Sequence, residues 1–172
     1  MAQKSTPVDY VSILRQADIF YDLDNEHLQM IARLCLQTTA DKGEIIFEEN
    51  SPSDELYVVL GGAVEIVVSP FIVEGEQRRG DAEGMVVAII RRGQTFGEVA
   101  LVDQGLRSAL ARSAAKDTQL LVLPRDKLIA LCDQYPDLGY RLMRNIAADL
   151  AFKIRGTDLM IRERLLWRPR AG

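Results

Sequence analysis

The residues with chemistry to offer lie close together, between Gln94 and Ser113. Phe96-Gly97-Glu98 opens the stretch, and Arg107-Ser108-Ala109 closes it. Gly97 has no Cβ, so a main-chain N–H can come close to an anion there. A short helical turn from Glu98 aims its unpaired N–H groups and positive dipole end at the same place. Arg107, nine residues after Glu98, brings a planar fork of donors suited to a phosphate diester. Ser108 offers a hydroxyl, and Ala109 an N–H beside a small side chain. Glu98 is the odd member, because a carboxylate beside a phosphate repels it unless it is aimed elsewhere. A sugar hydroxyl is a partner that a carboxylate accepts from. Phosphate plus hydroxyl-bearing sugar points to a nucleotide, with Val99 and Ala100 lining the pocket under the sugar.

Each residue also has a plainer reading. Arg107 can be a structural arginine paired with Glu98 or Asp103. Glu98 can be an ordinary acid at a helix start, worth about 0.3–1 kcal/mol against the dipole. Gly97 can be a turn residue only.

The elements that must position these residues are legible in the hydrophobic pattern. Val8, Val11 and Leu14 recur at helical spacing after Pro7, predicting a short helix over residues 7–17. Asp24 can cap a second helix over Asn25–Leu34 with Leu28, Ile31 and Leu34 on one face and His27 on the polar side. From Leu36 the period becomes that of strands: Thr38-Thr39, Glu44–Glu48, Leu56–Leu60, Ala63–Val68, Met85–Ile90, Ser108–Ser113 and Thr118–Leu123. Gly43, Ser51–Asp54 and Gly61-Gly62 are the turns between them. Short strands joined by tight turns predict an antiparallel sandwich or barrel. Ser69–Gly84 is a long polar connection of mixed charge.

Pro124 ends the β region, and Asp126–Asp133 is a short helix. After Pro136 a long helix runs to about Trp167. Leu138, Leu142, Ile146, Leu150, Ile154, Ile161 and Leu165 mark its apolar stripe, and its last third is basic. Such a helix is longer than one small barrel covers, so it packs on its own domain or pairs with a second copy. In the pairing reading, Leu142 and Ile146 are the contacts to disrupt.

The segment F-G-E-V-A-L followed by R-S-A resembles the phosphate-binding cassette of cyclic-nucleotide-binding domains, the effector domains of the catabolite activator protein and protein kinase A regulatory subunit type. Residues 42–66, K-G-E-I-I-F-E-E-N-S-P-S-D-E-L-Y-V-V-L-G-G-A-V-E-I, are similar to the family's first half-barrel, and the resemblance covers about residues 20–165. One departure is Leu106, where many members have proline. The resemblance implies an antiparallel double-stranded β-helix (jelly roll), mostly β, with helices before and after it. The expected division is a helical segment over 1–35, the barrel with its cassette over 36–123, and C-terminal helices over 124–172.

It also implies the ligand: cyclic AMP, less readily cyclic GMP, with phosphate on Arg107 and the ribose 2′-hydroxyl on Glu98. Phe96, Gly97, Val99, Ala100, Ser108 and Ala109 are the remaining cassette positions, and Thr157 on the long helix would face the base. The long helix would move on ligand binding and form a homodimer interface. The rival expectation is a protein-interaction module with the same fold that binds no cyclic nucleotide.

Composition sets the outer bounds. With 172 residues, 48% hydrophobic and 27% charged, the chain suits one globular domain. A net charge of −4 argues against nucleic acid as the main partner. Only Arg168–Gly172 follow the long helix, so no DNA-binding domain is expected. Cys35 and Cys132, far apart in apolar helical patterns, read as reduced packing residues and not as metal ligands. There is neither nucleophile–base pair nor metal-ligand cluster in the pattern, so no enzyme and no cofactor is expected. The N-terminus lacks the apolar core of a signal peptide, and no run reaches the roughly 20 apolar residues of a membrane helix. A cytoplasmic protein follows as the expectation.

Overall fold

Two aspartates start the first two helices. Asp9 accepts from the Val11 and Ser12 amides at 3.1 and 3.3 Å and opens α1, Tyr10–Leu14. Asp24 accepts from the His27 amide at 2.8 Å and opens α2, Asn25–Ala32. Each satisfies main-chain donors that a helix start leaves unpaired. A 3-10 turn, Asp18–Phe20, lies between them. The computed structural model describes residues 9–52, 54–69, 84–103 and 105–166. The side chains of Ala100, Thr157, Met160, Ile161 and 163–166 lie outside it, as do Pro7, Trp167 and most of the predicted polar connection between Ser69 and Gly84.

The described strands are β1 (Leu36–Ala40), β2 (Ile45–Phe47), β3 (Glu55–Gly61), β4 (Ala63–Val68), β5 (Met85–Arg91), β6 (Thr95–Phe96), β7 (Leu110–Ser113) and β8 (Thr118–Pro124). They form two antiparallel sheets, ordered β1-β8-β3-β6 and β2-β7-β4-β5. The remaining helices are α3 (Val99–Asp103), α4 (Arg125–Gln134) and α5 (Pro136–Leu166). A mostly β, antiparallel chain with flanking helices and a long C-terminal helix is what the sequence predicts.

Strands β3 and β8 are apolar on both faces, and the packing shows why. Alternate residues point to opposite sides of a sheet. Tyr57, Val59, Leu120 and Val122 face the second sheet, where they meet Val64 and Ala111. Leu56, Val58, Leu60, Leu121 and Leu123 face the other way, into a core shared with the helices. A strand sandwiched between a sheet and a helical layer has no polar face to show.

Helix α5 supplies part of that second core. Leu138, Leu142 and Ile146 are fully buried against the N-terminal helical segment and α4. Asn145 Nδ2 donates to the Ile19 and Tyr21 carbonyls at 3.2 and 2.6 Å. Arg141 donates to the Asp22 carbonyl at 2.8 Å and, with Arg144, pairs with its carboxylate at 3.3 Å. The reading of Leu142 and Ile146 as contacts to a second copy is therefore wrong: both belong to this chain's own core. A stripe spaced every four residues drifts around a helix, by about 160° over sixteen residues. Leu138 and Ile154 thus face different surroundings, and Ile154 is exposed.

His27 also departs from expectation. Its side chain is 14% exposed, with Nδ1 3.4 Å from Asp24 Oδ2, so it is largely covered and not on the open surface. Burial pushes the Cys35 thiol up to about 12 and raises that of Cys132, consistent with packing roles. Among the described residues no helix is long and apolar enough to cross a membrane.

Candidate functional site

Arg107 is held by its main chain before its side chain acts. Its amide donates to the Ser51 carbonyl at 2.9 Å, and its carbonyl accepts from the Asn50 amide at 2.8 Å. A β-bridge between Pro52 and Leu106 ties the same two loops. The turn read from Ser51–Asp54 thus supports the arginine across more than fifty residues of chain.

The guanidinium is buried among rings. Tyr57 and Phe96 stack, with centroids 4.9 Å apart at 12°, and Phe47 packs against both. Arg107 Cζ lies 4.1 Å from the Phe47 centroid and 5.7 Å from that of Tyr57. Nη2 donates to the Glu55 carbonyl at 2.8 Å and Nη1 to the Gly97 carbonyl at 3.4 Å. The Tyr57 hydroxyl donates to the Glu55 carboxylate, which fixes this strand end. Burial lowers the Arg107 pKa from its ordinary value, opposed by the nearby acidic groups, among them the carboxylates of Glu55, Asp54 and Glu98. The group nonetheless remains a cation at neutral pH. Among the described residues no carboxylate is salt-bridged to it. Its Nε is buried without a hydrogen-bond acceptor among them. The structural pairing with Glu98 or Asp103 does not occur, and a buried donor is left over.

Gly97 is required where it stands. Its φ is +79°, and a Cβ there would sit 2.6 Å from Arg107 Nη1 and 3.0 Å from the Glu55 carbonyl oxygen. Only glycine lets the turn pass this close to the arginine. Glu98 follows, and its carbonyl accepts from Leu101 at 3.0 Å at the head of α3.

These groups line a cavity of about 790 Å³ between the second sheet, the cassette and α5. Phe96, Gly97, Glu98, Val99, Arg107, Ser108 and Ala109 all reach it, joined by apolar side chains of β4 and β5 such as Ile66 and Val87. Of the other predicted residues, Ala100 begins α3 with its neighbour Val99, and Thr157 lies within α5, but both side chains fall outside the described residues. The cavity is long enough in apolar wall and local enough in polar groups for a small organic anion.

Residues 37–135 match the family model of the cyclic nucleotide-binding domain. The chain belongs to the cyclic-nucleotide-binding domain family. It is 30% identical over 146 residues to the cyclic AMP receptor protein of Thermus thermophilus, covering 85% of this chain and 61% of that one. In structure it is similar to the N-terminal domain of a transcriptional regulator from Streptomyces coelicolor, with a TM-score of 0.68, 26% identity, and 82% and 94% of the two chains covered. It is also similar to the regulatory domain of Toxoplasma gondii PKA solved with cAMP, with a TM-score of 0.60, 26% identity, and 70% and 42% covered. The chain spans about three-fifths of the length of the first curated relatives it matches.

Part of the site in this family member is not legible in the sequence. Lys153 of α5 reaches Glu98, donating to Oε1 at 2.7 Å, and pairs with Asp149 at 2.8 Å. Leu150, Lys153 and Ile154 also wall the cavity. Lys153 reads in the sequence only as one member of a basic helix end. The available signal was Asp149 four residues earlier, a spacing that pairs charges along a helix. The Phe47 and Tyr57 rings likewise read in the sequence only as strand residues.

Proposed function

We propose that the protein is a cyclic-nucleotide sensor that prefers cyclic AMP to cyclic GMP and couples binding to the position of α5. The observation that carries this reading is Arg107, a buried cation on the cavity wall with Nε unpaired among the described residues. A phosphate diester supplies the acceptor that this donor lacks, and a charge-assisted bond there is stronger than a neutral one. Ser108 and Ala109, on the same wall, flank the phosphate. Glu98 takes the ribose 2′-hydroxyl, Val99 and Ala100 lie beneath the sugar, and Thr157 reads the base edge. The preference for cyclic AMP draws support from the 30% identity to the cyclic AMP receptor protein, against 26% to a cGMP-dependent protein kinase. Because Leu150, Lys153 and Ile154 share the cavity with the cassette, a ligand there acts on α5 directly. It shifts that helix only by its differential affinity for the two positions.

The test is calorimetric titration of nucleotide-stripped protein with cyclic AMP and then cyclic GMP. Tighter binding of cyclic AMP supports the reading. Binding of neither overturns it and leaves the fold in use as an interaction module. Glu98→Gln keeps the shape of the side chain but removes the charge that strengthens a hydroxyl bond. It is expected to weaken cyclic AMP by about 1–2 kcal/mol while hardly affecting the 2′-deoxy analogue. Equal losses for the two ligands would count against the hydroxyl role.

A homodimer through α5 completes the proposal. Phe152 and Leu159, 74% and 62% exposed, lie seven residues apart on the same side of the helix. Apolar side chains so spaced suit a partner helix. Phe152→Glu with Leu159→Glu is expected to halve the mass seen in sedimentation while the protein stays folded, its melting temperature lowered only by the lost association. A parent protein that already sediments as a monomer would remove the dimer.

A further inference from the structure

Strand β2 is irregular where it borders the site. Ile45 pairs with Arg112 of β7 and Phe47 with Ala111, so two steps on one strand match a single step on the other. In a regular strand Ile45 and Phe47 share a face. Phe47 would then point outward with Ile45, which is 49% exposed. The extra residue turns Phe47 the other way, with the fully buried Ala111, against the core between the sheets. A ring re-aimed in this way has a target. The Arg107 guanidinium lies over it, with Cζ 4.1 Å from the ring centroid, nearer than to Tyr57 at 5.7 Å. Tyr57 and Phe96 back the ring, with centroids 5.7 and 5.9 Å away. The chain just beyond β2 holds the arginine as well, through the main-chain bonds of Asn50 and Ser51 to Arg107. Ring and guanidinium are therefore set against each other by one connection.

A guanidinium donates in its own plane, and its faces stack on rings. Here Nη1 and Nη2 bond the Gly97 and Glu55 carbonyls, and the Phe47 ring covers a face. Nε is the donor left over, buried without an acceptor among the described residues. Asp54, Glu55 and Glu98 lie close enough to act on the charge of Arg107, yet among the described residues none is salt-bridged to it. Phe47 also forms part of the cavity wall, so it shields the cation from water where an anion arrives. We propose that Phe47 is a positioning residue of the phosphate subsite: it fixes the plane of the Arg107 guanidinium, so that the donors meet the phosphate oxygens in one orientation. The inference rests on the nucleotide reading above and deepens it. A ring that only filled space has a different signature, because a ring of the same shape without a negative face would then serve as well.

The test replaces Phe47 in three ways. Phe47→Leu removes the ring but keeps an apolar side chain, and Phe47→Tyr keeps the ring. Pentafluorophenylalanine, introduced at this position by codon suppression, keeps the shape but withdraws the negative charge of the ring face on which a cation–π contact depends. Each protein is stripped of nucleotide, melted to check folding, and titrated with cyclic AMP. It is then titrated with the two phosphorothioate diastereomers of cyclic AMP, which carry sulfur at one or the other exocyclic position. Phe47→Leu and the fluorinated ring are both expected to weaken cyclic AMP about three- to tenfold, the scale of a cation–π contact at a half-buried site. Both should narrow the affinity ratio of the diastereomers, because that ratio reads the plane of the donors. Phe47→Tyr should keep affinity and ratio. Unchanged affinity in the fluorinated protein overturns the inference, whatever Phe47→Leu does, since the ring then only fills space. Weaker affinity with an unchanged diastereomer ratio overturns it too. Those outcomes remove Phe47 and leave the sensor reading standing. If the parent binds neither cyclic AMP nor cyclic GMP, the sensor reading itself fails, and this inference falls with it.

Discussion

Arg107→Ala is expected to weaken cyclic-nucleotide binding by about 2–5 kcal/mol, roughly thirtyfold to several thousandfold in Kd. The size follows from burial. The guanidinium lies inside a ring cluster, 4.1 Å from the Phe47 centroid, where water screens little of its charge. Removing it takes away the cation that offsets the phosphate and strands the partner in an apolar wall. It also leaves the Glu55 and Gly97 carbonyls without their donor, so a fall in melting temperature of the free protein should accompany the loss. Arg107→Lys separates the two effects. It retains a positive charge but not the planar fork that reaches two carbonyls and an anion together, so affinity should return only in part. Calorimetric titration beside thermal unfolding checks both variants. Affinity unchanged in Arg107→Ala would remove this residue from the site.

The second large effect falls on stability and not on binding chemistry. Leu142→Ala should destabilise the fold by about 2–5 kcal/mol, because it opens a cavity in a core that relaxes only partly. Leu142 is fully buried where α5 crosses the N-terminal helical segment, beside Asn145, which bonds the Ile19 and Tyr21 carbonyls. Denaturant unfolding measures the loss, and sedimentation should show no change of mass at temperatures where the variant is folded. A change of mass without loss of stability would return Leu142 to the pairing face from which the structure removes it. Phe152 and Leu159, at the exposed end of the same helix, should behave in the opposite way.

These two effects divide along a line that also separates what each level of description determines. Local rules were enough for most of the elements, though not for β6, which exists only by pairing with β3, nor for the short extent of α1. Asp9 and Asp24 cap helices because a carboxylate satisfies free amides within three residues of itself, a relation written in neighbouring positions. The double-sided apolar runs of β3 and β8 and the glycine turns are equally local. So is the cassette. Gly97, Glu98 and Arg107 belong to one short stretch whose order and spacing carry their own meaning, and the structure gathers them on one cavity wall. The family match over residues 37–135 agrees with the resemblance those residues carry.

Tertiary structure decided what lies opposite. Helical periodicity says which residues share a face, but not what that face meets. Leu142 and Phe152 are both apolar residues of α5, yet one is core and the other exposed, because the N-terminal segment covers only the first turns of the helix. Arg107 bonds the carbonyl of Glu55, fifty-two residues away, and Lys153 bonds Glu98 across fifty-five. A sequence records no sign of such pairs, since the side chains meet only after two sheets and a helix have packed. The charge on Glu98, an oddity when read along the chain, acquires its counter-ion only in three dimensions.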